Sequence, residues 1–141
     1  MKLKITHKSY SCAPKTFLEL RDIIKERLKN DPNVDLNDIN VSSITDMSDL
    51  FYGLDPHNIN ISQWDVSNVE DMNFMFWGCE NFNADLSDWD VSKVKNMGCM
   101  FKNCKRFNSD LNKWDISSVE NIHRMFDDCD SMKKLPTWYK S

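Results

Sequence analysis

From about residue 36 to residue 135 the apolar positions return every 25 residues. Trp64, Trp89 and Trp114 stand in register, as do Val66, Val91 and Ile116; Val69, Val94 and Val119; Met75, Met100 and Met125; Phe76, Phe101 and Phe126; and Cys79, Cys104 and Cys129. Polar positions keep the same period, with Asp65, Asp90 and Asp115 after each tryptophan and Ser67, Ser92 and Ser117 two residues further on. A degenerate earlier copy sets Ile39, Val41, Ile44, Met47, Leu50 and Phe51 where the next has Trp64, Val66, Val69, Met72, Met75 and Phe76. A fixed period in the range of roughly 20 to 50 residues marks units that bury their apolar faces only by stacking on one another. Four units follow, at about 36–60, 61–85, 86–110 and 111–135. Leu135-Pro136-Thr137-Trp138 echoes Leu111-Asn112-Lys113-Trp114 at a spacing of 24, one residue short, and reads as a closing cap over 136–141 in which Pro136 interrupts a fifth strand.

Within a unit the pattern changes. In Asp85-Leu86-Ser87-Asp88-Trp89-Asp90-Val91 the β-branched and aromatic residues form a short run without helical spacing, which predicts a strand. Val94, Met97, Met100 and Phe101 then fall at i, i+3, i+6 and i+7, one face of a two-turn helix. Ser67 with Glu70 and Ser117 with Glu120 have capping-box spacing, while Ser42 and Ser92 keep the cap without the acid. The column Gly53, Gly78, Asn103 and Asp128 holds residues that tolerate a left-handed C-terminal turn. These signals predict helices near 43–52, 68–77, 93–102 and 118–127. Ahead of the units, at 1–35, lies a strand and helix cap: Thr16 and Glu19 open an amphipathic helix carrying Leu18, Leu20, Ile23, Ile24, Arg27 and Leu28, which ends near Asn30-Asp31-Pro32. Its charged Arg21, Lys25, Glu26 and Lys29 suit the polar outer face of a terminal cap. The expected fold is an α/β repeat, a short solenoid of four strand-helix rungs with an N-terminal capping helix.

The run Met-Phe-x-x-Cys-x-x-Phe-Asn-x-Asp-Leu-Ser-x-Trp-Asp-Val-Ser-x-Val-x-x-Met at 75–97 resembles the BspA-type leucine-rich-repeat family, a mycoplasma-type repeat of unknown function, and the resemblance covers about 36–135. The opening helix and the closing Leu-Pro-x-Trp-Tyr also resemble the ends these modules carry. The resemblance implies a right-handed leucine-rich-repeat-like solenoid of bacterial or viral surface and interaction proteins, with no catalytic residues to carry over.

Composition adds limits. A chain of 141 residues, 40% apolar and 28% charged, has a one-domain length with ample material for a continuous core. Met1 to Tyr10 alternates Lys with apolar residues, without an apolar run of signal-peptide length, and no stretch approaches a membrane span, so a cytoplasmic location is expected. A net charge of −4, with Lys and Arg scattered among Asp and Glu, disfavours nucleic acid.

Candidate chemistry is sparse. Cys79, Cys104 and Cys129 occupy one inward position, while Cys12 and Cys99 lie outside the column; five cysteines without a CxxC spacing read as buried reduced thiols. The columns Asn40, Asp65, Asp90, Asp115 and Asp35, Asn60, Asp85, Asp110 recur in every unit, which suits turn hydrogen bonding better than a cation site. His7, His57 and His123 are non-equivalent, and no motif sets a nucleophile beside one. No enzyme activity, metal or cofactor is expected.

What varies between units is more informative. Asp49, Phe74, Cys99 and Arg124 form one variable column, and Tyr52, Trp77, Lys102 and Asp127 another. Both are expected to point outward, because Val69, Met72, Met75 and Phe76 already supply the inward face. Tyr52, Phe74 and Trp77 then make an exposed aromatic patch, which with Lys102 and Arg124 forms the expected partner-binding surface. The alternatives are that Phe74 and Trp77 fold back over Met72 or the N-terminal helix, or that a strand face bearing Gln63, Asp88 and Lys113 binds instead. The expected role is a non-enzymatic protein-interaction module, either an intracellular inhibitor or immunity-type protein or a surface and adhesion module, with self-association through the solenoid ends left open.

Overall fold

The computed structural model describes residues 9–140, so His7 and the alternating run before Ser9 lie outside the described residues. One helix, α1 (Phe17–Asn30), forms where the capping pattern places it. Thr16 Oγ1 accepts the Glu19 N–H at 3.1 Å, and Glu19 Oε2 accepts the Lys15 N–H at 2.9 Å. Leu20 and Ile24 are fully buried at the end of the core.

The strand-helix rungs do not form. Among the described residues α1 is the only helix and no sheet exists; strand pairing is limited to isolated parallel bridges such as Asp46 with Asp71, Asp71 with Asn96 and Asn96 with Asn121. The helices expected near 43–52, 68–77, 93–102 and 118–127, and the strand through Asp85–Val91, are replaced by successive β-turns. The apolar spacing explains why. Ile61 and Trp64, then Val66, Val69, Met72 and Met75, then Phe76, Cys79 and Phe82 recur every three residues, and all are buried. Three is the span of a β-turn, whereas a helical stripe mixes steps of three and four. Most of these steps close a turn: Trp64 N–H donates to Ile61 O (3.1 Å), Val69 to Val66 (3.0 Å), Met75 to Met72 (3.3 Å) and Cys79 to Phe76 (3.0 Å).

The intended helix caps are spent on these turns. Ser67 donates both its N–H and its hydroxyl to Asp65 Oδ1, at 3.1 and 2.5 Å, and Glu70 faces Lys95 at 3.4 Å instead of closing a capping box. The N–H groups left over reach the next unit. Those of Met72, Phe74, Phe76 and Gly78 donate to the carbonyls of Asn96, Gly98, Met100 and Lys102 at 2.8 to 2.9 Å, and those of Met97, Cys99, Phe101 and Asn103 repeat this onto Asn121, His123, Met125 and Asp127 at 2.8 to 3.0 Å. In this row each inner unit donates toward the C-terminal end, while other amides, such as those of Lys95 and Glu120, donate back to the carbonyls of Glu70 and Lys95 at 2.8 and 2.7 Å.

The core lies inside this stack as columns of like side chains. Phe51, Phe76, Phe101 and Phe126 stack at 5.0, 5.6 and 5.7 Å between ring centroids, and Trp64 lies 6.4 Å from Trp89. Each indole also ties its unit to the preceding one, with the Nε1 groups of Trp64, Trp89 and Trp114 donating at 2.9 Å to the carbonyls of Leu36, Ile61 and Leu86. The closing segment keeps the backbone register that the sequence appeared to lose. Tyr139 N–H donates to Pro136 O at 3.0 Å, as Trp114 does to Leu111, and Pro136 is buried while Leu135 is exposed. Only the tryptophan is displaced: Trp138 sits one residue early, yet its indole continues the column, 6.4 Å from Trp114 and 2.8 Å from Leu111 O.

α1 is bound to the first unit by Arg27, whose guanidinium grips the two carboxylate oxygens of Asp38 at 2.6 and 3.0 Å. Ser11 Oγ donates to the same carboxylate. The Arg27 hydrogen bond draws the Asp38 carboxyl down to about 2. A carboxyl depressed in the folded state stabilises it above its unfolded value near 4 and loses that contribution as pH falls through about 2. Acid titration followed by the Leu20 and Ile24 methyl resonances should therefore show α1 loosening between about pH 4 and 2. Asp38→Asn should remove that step while leaving α1 partly loosened at neutral pH.

Candidate functional site

The repeated turn holds its third residue in the left-handed region at two places per unit. Gly53, Gly78, Asn103 and Asp128 have φ of 76°, 75°, 64° and 60°, as the residue types in that column suggest. The second place is the variable column: Asp49, Phe74, Cys99 and Arg124 have φ of 61°, 58°, 54° and 54°. Positive φ at the third residue is the type II turn, which favours Gly or Asn there, and a bulky residue in that region is a conformational outlier. No glycine occupies this column, so the apolar spacing carried no sign of the strain.

This geometry turns the variable column outward. Phe74 is 36% exposed and Tyr52 46%. The Tyr52 ring stacks on Trp77 at 4.9 Å and 7° between planes, and Phe74 meets Trp77 edge-on at 5.5 Å. Trp77 itself is half-buried, and its Nε1–H lies out of contact with solvent and without a hydrogen-bond partner. Phe74 therefore does not fold back, and Trp77 packs against Tyr52 and Phe74. Lys102 is half-buried in the next unit, where its carbonyl accepts the Gly78 N–H, and Arg124 stands exposed in the last unit, two repeats from Phe74. Tyr52, Phe74 and Trp77 form one cluster; Lys102 borders it and Arg124 lies apart. On the other face Gln63, Asp88 and Lys113 are exposed, with Lys113 Nζ 3.1 Å from Asp88.

Beneath the cluster, Arg21 from α1 donates to the carbonyls of Asp49 (2.8 Å), Leu50 (2.7 Å) and Tyr52 (2.7 Å). Leu50 and Tyr52 stand where inner units accept from the unit before, so this guanidinium caps the N-terminal row of acceptors. The sequence reading assigned Arg21 only to a polar outer face. Its actual role depends on a contact 28 to 31 residues away.

The polar columns serve the turns. Asp90 and Asp115 each accept the N–H two residues on at 3.0 Å, as does Asn40, and Asp35, Asn60, Asp85 and Asp110 do the same at 2.8 to 3.2 Å. A third column, Asp46, Asp71 and Asn121, makes the same bond at 2.9 Å and was not recognised from the sequence. The Sγ–H groups of Cys79, Cys104 and Cys129 donate to the carbonyls of Phe51, Phe76 and Phe101 at 3.4, 3.0 and 2.8 Å. Burial pushes Cys79 and Cys129 up to about 12 and Cys104 higher still. Thiols held this far from ionising are poor nucleophiles and poor metal ligands. His57 pairs with Asp55 at 3.1 Å, and His123 is exposed.

Stacked turns in a 25-residue register, closed by a helix at one end and carrying a variable outer column, define a repeat protein. The chain belongs to the family described as "Mycoplasma protein of unknown function, DUF285", the family of BspA-like repeats, whose model matches residues 20–138. No curated protein and no solved structure gave a match. No helix among the described residues is long and apolar enough to cross a membrane.

Proposed function

We propose that this chain is a non-enzymatic protein-interaction module whose binding surface centres on Tyr52, Phe74 and Trp77. One observation carries the reading: Phe74, a large aromatic, is exposed at a φ of 58° that costs a residue with a side chain energy glycine would not pay. Strained backbone that holds an aromatic in solvent, beside a stacked Tyr and Trp, fits an anchor for another protein better than a packing residue.

Phe74→Gly tests this cleanly, because glycine is the preferred residue for that φ and the substitution deletes the whole side chain without straining the turn. Folding stability should change by less than about 1 kcal/mol, with the lost edge contact offset by relieved strain. Capture of a partner from the native host's cells should fall at least about tenfold, and further with Trp77→Ala. Capture of the same partner undiminished by the folded double variant would remove the patch from the binding surface.

A further inference from the structure

Along one row of bonds between units, the two ends of the stack have opposite hydrogen-bonding character. At the N-terminal end the row consists of acceptors, and the Arg21 guanidinium, which can only donate, covers it. At the C-terminal end the row consists of donors: Ile122, Arg124, Phe126 and Asp128 correspond to Met97, Cys99, Phe101 and Asn103, whose N–H groups all donate to the next unit. The Tyr139 phenol oxygen lies against the Met125 and Phe126 backbone N–H groups. No acceptor among the described residues meets the N–H groups of Ile122, Arg124 or Asp128.

We propose that this edge binds an extended, lysine-bearing segment of a partner protein, which adds a further turn by placing its carbonyls on the Ile122–Asp128 donors. Each inner row shows what such a row accepts, namely backbone carbonyls of a segment in the same turn conformation, at 2.8 to 3.0 Å. Strand-like addition to an open edge is a recurring mode of peptide recognition, with affinity from the backbone and selectivity from the flanking side chains. The flanking charge selects the partner here. Asp127, Asp128 and Asp130 are exposed around the row against one exposed cation within it, Arg124, and Asp130 already faces Lys105, so the balance disfavours an anion despite the aligned N–H groups. Inside the stack, acids of one unit meet lysines of a neighbouring one: Glu70 with Lys95 at 3.4 Å, Asp88 with Lys113 at 3.1 Å and Asp130 with Lys105 at 3.8 Å. In the last unit Glu120 and Asp130 stand in two of these columns, so a segment that continued the stack with lysines there would meet acids, while the third column ends in Lys113. This edge does not involve the aromatic patch, and the proposal stands or falls separately from it.

The probe is a synthetic peptide with the sequence of residues 93–105, serine replacing both cysteines, because that segment carries Lys93, Lys95, Lys102 and Lys105 and supplies the carbonyls that cover an inner donor row. Added to the full chain, it should bind with a Kd of about 1 mM or tighter and protect the Ile122, Arg124 and Asp128 amides from hydrogen exchange. Tyr139→Phe, which removes the competing oxygen and keeps the ring, should tighten binding about threefold to tenfold. A peptide with glutamate at the four lysine positions should bind at least about tenfold more weakly. No binding at about 1 mM, binding that leaves those three amides unprotected, or equal binding by a scrambled peptide of the same composition would each overturn the proposal.

Discussion

Trp89→Ala is expected to lower folding stability by about 3 to 5 kcal/mol in chemical denaturation, the range for deleting a large buried aromatic. Trp89 is only 4% exposed, stacks on Trp64, and donates its Nε1–H to Ile61 O at 2.9 Å. Truncation therefore opens a cavity and also removes one of the two donors to Ile61 O, which keeps the Trp64 N–H at 3.1 Å, so the cavity dominates the loss. Because that carbonyl lies 28 residues back, the loss also loosens one unit from the next. Trp77→Ala should cost far less, about 1 to 2 kcal/mol, since Trp77 is half-buried and its N–H has no partner to lose. Equal losses from the two variants would contradict the separation of a core column from a surface column.

That separation was legible in the sequence. A 25-residue register with Trp, Met, Phe and Cys in fixed places identifies the buried columns, and the structure buries Trp64, Met75, Phe76 and Cys79 along with their equivalents. α1 was legible for a different reason: its signals are local, with Thr16 as cap, Glu19 in the first turn and a 3.6-residue stripe. The secondary structure of the units was misread because spacings of three and seven satisfy a helical template over two turns. What distinguishes a chain of β-turns is that every step between buried apolar residues is three, from Val66 through Met75 and again from Phe76 through Phe82. The capping boxes misled for a related reason. Asp-x-Ser serves an Asx turn as well as Ser-x-x-Glu serves a helix, and Asp65 competes successfully for the Ser67 donors.

The aromatic patch was legible as a departure from the repeat, but its physical basis was not. A column occupied by Asp49, Phe74, Cys99 and Arg124 shares no residue type that announces positive φ. The conformation is imposed by the neighbours on both sides: Met72 and Met75 face the core three residues apart, while the Phe74 N–H must reach Gly98 O at 2.9 Å in the next unit. The donor and acceptor ends were hidden for the same reason, since a row of N–H groups pointing one way follows from the alternation of turns and not from any side chain.

Phe101→Ala is expected to cost about 4 to 5 kcal/mol, and clearly more than Phe126→Ala, although the two rings hold equivalent positions. Phe101 is fully buried, with Phe76 at 5.6 Å, Phe126 at 5.7 Å and Phe107 at 4.2 Å between ring centroids. Units on both sides are held at fixed separation by the bonds from Phe76 N–H to Met100 O (2.9 Å) and from Phe101 N–H to Met125 O (3.0 Å). The gap left by Phe101 therefore cannot close without breaking backbone hydrogen bonds, and nearly the whole cavity cost remains. Phe126 is 6% exposed, and Tyr139 meets it edge-on at 5.0 Å from the closing segment. Among the described residues only the closing segment lies on that side, so Tyr139 can settle into the space and reduce the loss to about 2 to 3 kcal/mol. Chemical denaturation of both variants measures the difference. Equal losses would mean either that the inner units draw together as freely as the end does or that the closing segment holds its place as firmly as a full unit.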